Sequence, residues 1–159
     1  MNAQFERSEN NQEWYTPKYI IEALTKDTLF DLDPCAGEET NIARENWTQR
    51  DGYKHPWNGR VFLNPPYKHP VVEKFVRAMV HHNNGTALLF NRYDSVLWQD
   101  LIFPTASALF FLKGRIKFIN RQGLEGGTPG TGSALVAWGY VDADILERVQ
   151  LPGTFIRLR

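Results

Sequence analysis

The chain has 159 residues and no net formal charge, because 18 Lys and Arg side chains balance 18 Asp and Glu side chains. Apolar residues make up 42% and charged residues 23%, which is typical of one globular domain and excludes a disordered or polycationic chain. The single cysteine excludes an internal disulfide framework and any zinc or iron–sulfur site that needs several cysteines.

The first half of the chain predicts short strands that alternate with helices. Residues 1–12 are polar and predict a flexible lead-in, so the folded domain is expected over residues 13–159. Thr16 and Pro17 are typical of an N-cap and a first helical residue, which predicts a helix to about residue 26. Strands are predicted over 28–33 and 60–63, a short helix over 39–46, and a longer helix over 70–82, where apolar residues repeat at helical spacing.

The second half continues the alternation. The segment 86–90 predicts a strand, and a helix is expected over 94–101. Two further strands are predicted over 108–118 and 133–140, with a short helix over 143–149. This order predicts a three-layer α/β fold with a largely parallel sheet. Since no helix separates the last two strands, we expect them to form an antiparallel hairpin at one edge.

Neither a signal peptide nor a membrane helix is predicted. The polar N-terminus lacks the apolar core of a signal peptide. No apolar run approaches the roughly 20 residues that a membrane helix needs. We therefore expect a soluble, cytoplasmic protein that makes no membrane contact.

Charge is distributed unevenly although the total is zero. Residues 1–53 carry a net charge of −6, residues 54–121 a net charge of +7, and residues 122–159 a net charge of −1. The middle third could engage a polyanionic partner. Charges that merely solvate different faces would give the same pattern.

Two predicted strands end in unusual polar sequences, at the edge where open α/β sheets bind ligands. They are Asp33-Pro34-Cys35-Ala36-Gly37 and Asn64-Pro65-Pro66-Tyr67. In the second, consecutive prolines lock two φ angles and remove two N–H donors, so the chain leaves its strand stiffly. The Asn64 side-chain oxygen and the Pro65 carbonyl then form two acceptors for the hydrogens of one planar amine, and Tyr67 could stack on the attached ring.

Such a pair of acceptors suits a weak nucleophile such as the exocyclic amine of adenine. Its lone pair is conjugated into the ring, and acceptors on both hydrogens favour pyramidalisation as the transition state develops. A rigid turn with a surface tyrosine is the alternative interpretation of these four residues.

The Asn64-Pro65-Pro66-Tyr67 segment resembles the catalytic motif of amino-methyltransferases that use S-adenosylmethionine. With Trp14-Tyr15-Thr16-Pro17 and with residues 30–36, it resembles the phage-type DNA N6-adenine methyltransferases over about residues 13–140. The resemblance implies a single-domain, Rossmann-like methyltransferase fold that methylates adenine in double-stranded DNA after base flipping. It also implies a phage or prophage setting and protection of DNA from restriction.

The resemblance implies roles for individual residues. The catalytic residues that hold the target amine and base would be Asn64, Pro65, Pro66 and Tyr67. The residues that bind S-adenosylmethionine would be Trp14, Tyr15, Thr16, Pro17, Asp33, Pro34, Cys35, Ala36, Gly37 and, with weaker support, Asp51. Related enzymes carry Gly-x-Gly in the donor loop, whereas only Gly37 is present here, so the atoms that hold the methionine moiety stay open. For Asp31 and Asp33, capping of a following helix is the alternative.

A basic stripe follows the catalytic motif in the sequence. Lys113, Arg115 and Lys117 alternate with apolar residues, so a strand would place them on one face, with Arg121 at the following turn. Together with Lys68 they are candidate contacts to a DNA backbone, and a solvated strand face is the alternative. The glycine-rich segment 122–133 lacks the lysine of a Walker loop. No metal site is expected, because His81 and His82 have no nearby Cys or acidic partner in the sequence.

Other functions fit parts of the same pattern. Methylation of cytosine N4, RNA or a protein glutamine would use the same motif, and an inactive DNA- or protein-binding module could retain the scaffold. Little length remains for a separate target-recognition domain, so selectivity would be loose or would depend on a homodimer or another partner. Binding of S-adenosylmethionine would separate the enzyme from the inactive module.

Overall fold

The computed structural model describes residues 15–38, 40–48, 50–120, 124–126 and 129–159. Over these residues the chain is an α/β protein, as expected. Its helices are α1 (Lys18–Leu24), α2 (Val71–His82), α3 (Phe103–Thr105) and α4 (Tyr140–Arg148). Its strands are β1 (Phe30–Asp33), β2 (Ala43–Asn46), β3 (Val61–Leu63), β4 (Gly85–Phe90), β5 (Ala108–Leu112), β6 (Ser133–Trp138) and β7 (Gly153–Arg157). A short 3₁₀ turn (Gly52–Lys54) and a π-helix (Leu97–Ile102) are also present. No helix in the described residues is long and apolar enough to cross a membrane.

These seven strands form one mixed sheet in the order β2-β1-β3-β4-β6-β5-β7. The first three pairs in this order are parallel and the last three are antiparallel. The expectation of a largely parallel sheet is therefore wrong for half of it. The predicted antiparallel hairpin exists between β5 and β6, but it is not at an edge, because β6 pairs with β4 and β7 covers the outer side of β5.

Both faces of the sheet are covered, which gives the predicted three layers. Val61 and Leu63 of β3 pack into a cluster with α2 and the π-helix, whereas Phe62 packs into a second cluster with α1 and α4. Successive strand residues point to opposite faces, so a strand buried on both sides consists of consecutive apolar residues. This is why the short apolar runs before Asn64 and Asn91 were recognisable as strands.

The helix predicted over residues 39–46 is wrong, because Ala43–Asn46 form β2, which pairs parallel with β1. Only Ala43 of this strand is buried, so a helix here would have had no apolar face to pack. The Asn46 side chain instead accepts the backbone N–H groups of Ile42 and Ala43, each at 3.1 Å. These bonds fix the entry to an edge strand.

The strand predicted over residues 108–118 ends at Leu112. The backbone N–H of Lys113 donates to the Pro152 carbonyl at 2.9 Å, and Gly114 then turns the chain with a φ of +80°. The expected alternation persists without strand pairing. The apolar members of the segment (Ile116, Phe118) are buried, and the basic members (Lys113, Arg115, Lys117) are exposed.

Two helix starts and one strand differ from the predictions. Pro17 is the N-cap of α1 and no side chain caps this helix, so Thr16 is not its cap. The helix expected over 94–101 is instead the π-helix, which continues into α3. β7 was not predicted, because its residues are mostly exposed and only its pairing with β5 makes it a strand.

A buried ion pair joins the layers at the amino ends of the strands. The Arg60 guanidinium contacts the Asp142 carboxylate through Nε and Nη2 at 2.9–3.0 Å, and the two residues are 5% and 0% exposed. It also donates to the carbonyls of Leu24 and Thr28 and lies 3.9 Å from the Phe30 ring centre. The carboxylate of Asp142 accepts a further hydrogen bond from Thr86 at 2.6 Å. Every charge in this cluster is therefore paired and hydrogen-bonded, as burial requires.

We expect Arg60→Ala to lower the free energy of unfolding by about 3–5 kcal/mol, because it leaves the Asp142 charge buried and unpaired. Urea denaturation followed by circular dichroism measures this loss. Arg148→Ala is the matched control, since Arg148 pairs with Asp27 at 3.4 Å and both side chains are more than half exposed. The control should lose about 1 kcal/mol or less. Equal losses in the two variants would contradict the role of the buried pair.

Candidate active site

The polar strand ends identified in the sequence meet at one edge of the sheet. β1, β3 and β4 are neighbouring strands that run parallel, so their carboxyl ends lie at the same edge of the sheet. Asp33 is the last residue of β1, and Asn64 and Asn91 directly follow β3 and β4. β6 runs antiparallel to β4 and begins at this same edge, with Ser133 opposite Phe90. The edge therefore gathers residues that lie far apart in the sequence.

The Asn64 side chain contacts one residue of the upstream motif, Thr16, and the last residue of its own motif, Tyr67. Its Nδ2 donates to Thr16 Oγ1 at 3.1 Å, and its Oδ1 lies 3.2 Å from the Tyr67 hydroxyl. Thr16 is buried, and Asn64 itself is partly buried next to the buried Pro65. The upstream motif thus supports the amide of Asn64, a contact that neither motif predicts alone.

The Tyr67 ring is held at both ends. Its hydroxyl donates to the Leu88 carbonyl of β4 at 2.7 Å, which is shorter than its contact with Asn64. Its ring stacks on Phe90 with centres 3.9 Å apart and planes 30° apart. A base that stacks on Tyr67 must therefore use the face opposite Phe90.

The environment of Tyr67 keeps its hydroxyl protonated. Burial raises the pKa of Tyr67 above its ordinary value of 10, and the electrostatic interaction with nearby Cys35 acts in the same direction. The phenol is therefore a neutral hydrogen-bond donor over the working pH range of proteins. Because Cys35 lies near Tyr67, the candidate donor-binding segment from Asp33 to Gly37 adjoins the Asn-Pro-Pro-Tyr segment.

Asp33 ends β1 as a buried carboxyl group, 3% exposed. Burial raises its pKa from 3.8 to about 7, while the backbone N–H of Cys35, 3.1 Å from Oδ1, lowers it by a smaller amount. Asp31 differs, since its carboxylate accepts the Arg60 N–H at 2.8 Å and lies near Arg44. Asp31 therefore contacts the residue before β3, whereas Asp33 is the buried carboxyl group at the candidate site. A buried carboxyl group is costly to ionise on its own, and a cation beside it would stabilise the ionised form.

The segment from Asp33 to Gly37 is fixed by backbone contacts. The Asp33 carbonyl accepts the Trp47 N–H at 2.9 Å, and the Trp47 carbonyl accepts the Ala36 N–H at 2.9 Å. The Gly37 N–H donates to Thr40 Oγ1 at 3.0 Å. Cys35 is partly buried and packs against the core.

Asp51 lies next to the segment from Asp33 to Gly37, because the next residue, Gly52, packs closely against the backbone of Pro34. A Cβ at Gly52 would lie 2.1 Å from the Pro34 carbonyl oxygen, so only glycine fits here. Trp57 Nε1 donates to the Gly52 carbonyl at 2.9 Å and holds the turn in place. The Asp51 side chain is partly exposed, 3.6 Å from His55.

Tyr15 connects the upstream motif to the segment after β5. Its backbone exchanges two hydrogen bonds with Ile119, at 2.7 and 3.0 Å. Pro17 caps α1 and follows Thr16 directly. Trp14, the first residue of this motif, lies outside the described residues.

The predicted basic residues that the structure describes, Lys68, Lys113, Arg115 and Lys117, are all exposed. Lys117 pairs with Glu125 at 3.4 Å, and Lys68 follows Tyr67 directly. Lys113 lies at the turn beside Pro152, whereas Arg115 lines a cleft with residues 91–94. Arg121 lies outside the described residues.

Sequence reasoning missed the residues that follow β4. Asn91-Arg92-Tyr93-Asp94 is a third polar sequence at the end of an apolar strand, so the signal that found Asp33 and Asn64 applies to it as well. The sequence predicts Phe90 as a strand residue and gives no signal that its ring stacks on Tyr67. No group of three or more potential metal ligands occurs in the part of the chain that the structure describes.

Comparisons with known proteins match most of the chain. The family model described as DNA N-6-adenine-methyltransferase (Dam) matches residues 4–139. A curated protein of Escherichia phage T1, named DNA N-6-adenine-methyltransferase, is 33% identical over 91 residues. This match covers 54% of the chain and 38% of the phage protein, so it spans little more than a third of the relative's length. No solved structure gives a significant match.

We expect Asp33→Asn to raise the melting temperature at about pH 8, with a gain that shrinks towards about pH 5. The pKa of Asp33 is about 7 in the folded state and 3.8 without burial. Ionisation of this carboxyl group therefore destabilises the fold progressively as the pH rises from the lower pKa to the higher one. Asparagine removes this penalty and keeps an oxygen for the Cys35 N–H. Thermal unfolding at both pH values measures the effect.

Asp31→Asn is the matched control, since it changes a partly exposed carboxylate two residues earlier on the same strand. It should show no such gain at the higher pH. A lower melting temperature for Asp33→Asn at every pH would mean that a partner holds the carboxylate ionised.

Proposed function

Because the chain belongs to the DNA N-6-adenine-methyltransferase (Dam) family, we propose that it transfers a methyl group from S-adenosylmethionine to the N6 amine of adenine in DNA. The observation that carries the proposal is the contact of Asn64 with both Thr16 and Tyr67. It joins the upstream motif to the Asn-Pro-Pro-Tyr segment at one point, beside the buried carboxyl group of Asp33. A turn of purely structural use would need no such support for its amide.

S-adenosylmethionine fits the chemistry of the residues next to Asn64. We assign its binding to the segment from Asp33 to Gly37, to Asp51 and to the motif from residues 14 to 17. The donor carries two cationic groups, an ammonium and a sulfonium. Burial raises the pKa of the Asp33 carboxyl group to about 7, and a cation beside this group would stabilise its carboxylate form. When bound, it supplies a methyl group on a positively charged sulfur, which is a good leaving group.

Asn64 and Pro65 would orient the target amine. The Asn64 Oδ1 and the Pro65 carbonyl accept the two amine hydrogens, and both are held on a backbone that two prolines stiffen. Acceptors in place before reaction stabilise the positive charge that develops on nitrogen without reorganisation. The extra proton becomes acidic once the nitrogen is methylated and leaves to solvent, so no strong base is needed beforehand.

Tyr67 would hold the adenine ring. The N6 amine of adenine is paired inside duplex DNA, so the base must be flipped out to reach Asn64. The ring of Tyr67 offers a stacking face whose orientation Phe90 and the Leu88 carbonyl set. The exposed cations Lys68, Lys113, Arg115 and Lys117 are proposed phosphate contacts.

We also infer that the sheet is that of a Rossmann-like methyltransferase. Its parallel half ends in the candidate site and its last three strand pairs are antiparallel. Double-stranded DNA as substrate supports a cytoplasmic location. A homodimer stays a prediction.

We expect Asn64→Ala to abolish methyl transfer and to leave donor binding intact, because it removes one of the two acceptors for the amine. The assay uses radiolabelled S-adenosylmethionine and duplex DNA at low salt, with the product digested to nucleosides. Label in N6-methyladenine that is lost in the variant is the expected result. A thermal shift with S-adenosylmethionine checks that the variant folds and binds the donor. Label in another base, or full activity in the variant, would contradict the proposal.

Tyr67→Phe and Tyr67→Ala separate the two contacts of this side chain. We expect Tyr67→Ala to raise the KM for DNA by about tenfold or more, because base stacking is lost. Tyr67→Phe keeps the ring but loses the bond to Leu88, so it should lower kcat more than it changes KM. Steady-state kinetics with saturating donor measure both constants. An unchanged KM in Tyr67→Ala would rule out the stacking role.

A further inference from the structure

A second cleft adjoins the candidate active site at the same edge of the sheet. It has a volume of about 600 Å³ and lies between the loop after β4, the end of β5 and the residues before β6. Phe90 links the two sites, since its ring stacks on Tyr67 and lies 6.0 Å from the Arg92 guanidinium. Arg92 and Tyr67 therefore both lie next to the same aromatic ring. We name this space the Arg92–Arg115 cleft, after its two basic residues.

The walls of the Arg92–Arg115 cleft are held in place by hydrogen bonds. The Asn91 N–H donates to the Gly132 carbonyl at 3.0 Å, and Thr131 Oγ1 donates to Asn91 Oδ1 at 3.2 Å. Gln99 of the π-helix donates to the Tyr93 carbonyl at 2.6 Å. A Cβ at Gly132 would lie 2.9 Å from the Asn91 side chain, so the two walls meet as closely as glycine allows. The cleft is thus preorganised.

The lining combines the groups that bind a nucleotide. Arg92 and Arg115 offer guanidinium groups, which bind phosphate in a fixed geometry. Tyr93 is 66% exposed and offers a ring for base stacking. Gly114 and Gly132 let a ligand approach the backbone closely.

Asp94 is the acidic residue of this lining, and its carboxylate limits which ligands the cleft can bind. A carboxylate repels phosphate but accepts hydrogen bonds from the amino groups of bases. A lining that combines two guanidinium groups, a carboxylate and an exposed aromatic ring therefore suits a whole nucleotide better than a free phosphate ion.

We propose that the Arg92–Arg115 cleft holds the nucleotide next to the target adenine, with its phosphate on the two arginines and its base on Tyr93. The inference rests on the proposed function, since it takes the target base to lie at Tyr67. A DNA strand whose base has left the duplex must be held on at least one side of that base. The cleft supplies this hold at the same edge of the sheet as Tyr67.

The test measures DNA binding and methyl transfer separately in the full-length protein. Fluorescence anisotropy with a labelled duplex gives Kd at several salt concentrations, and the radiolabel assay gives KM and kcat. We expect Tyr93→Ala to weaken DNA binding and raise KM by about tenfold. The same change should leave kcat and donor binding within about twofold of the unmodified protein. Arg92→Ala and Arg115→Ala should weaken binding and each lower the salt slope by about one.

Three further variants make the result specific. Tyr93→Phe keeps the ring and should bind DNA like the unmodified protein. Tyr140→Ala and Arg77→Ala change an exposed tyrosine on α4 and an exposed arginine on α2, outside the cleft, and should bind normally.

The outcomes separate the inference from the proposed function. If the variants bind and react like these controls while the unmodified protein methylates adenine, the cleft inference fails and the proposed function stands. If the unmodified protein transfers no methyl group but binds DNA through Tyr93 and the two arginines, the cleft is a DNA-binding site, while the proposed function fails and the placement of the bound nucleotide next to a target adenine fails with it. If Tyr93→Phe is as weak as Tyr93→Ala, the stacking role is wrong.

Discussion

The buried ion pair of Arg60 and Asp142 is the interaction on which the arrangement of this protein depends. It joins β3 to α4, and the same guanidinium bonds two carbonyls at and after the end of α1. A buried charge is tolerated only when it is paired and hydrogen-bonded, so each of these elements has one acceptable position relative to the others. β3 is short, and Asn64 follows its last residue directly. Holding the amino end of β3 therefore also positions the amide at its other end.

At the carboxyl edge the side chains are held by neutral hydrogen bonds and ring stacking. The phenol of Tyr67 reaches across to the Leu88 carbonyl of β4, and the amide of Asn64 is supported by Thr16. Asp33 is the exception, because burial raises its pKa towards neutrality and makes its ionised form costly. Sites that bind a charged ligand commonly keep such a group, at a cost in stability.

Phe90 connects the Asn-Pro-Pro-Tyr segment with the neighbouring cleft. Its ring lies under Tyr67, its carbonyl accepts the buried Trp98 Nε1–H at 2.8 Å, and Arg92 follows two residues later. Trp98 belongs to the π-helix, and π-turns are rare and often occur at functional sites. The same helix also contacts the cleft directly, since Gln99 donates to the Tyr93 carbonyl at 2.6 Å.

The sequence by itself determined the α/β class, the buried strands and the candidate motifs, because consecutive apolar residues and proline-rich strand ends are local signals. It could not determine that β2 is a strand or that β7 exists, since both depend on pairing with β1 and β5 rather than on their own apolar content. Nor could it assign Thr16, which looked like a helix cap until the fold placed it 3.1 Å from Asn64. Contacts between residues 48 positions apart arise only when the sheet brings strand ends together. The motifs could therefore be recognised from neighbouring residues in the sequence. The tertiary structure decided the rest, namely the distances, the burial and the pKa shifts that bring these motifs together as a candidate site.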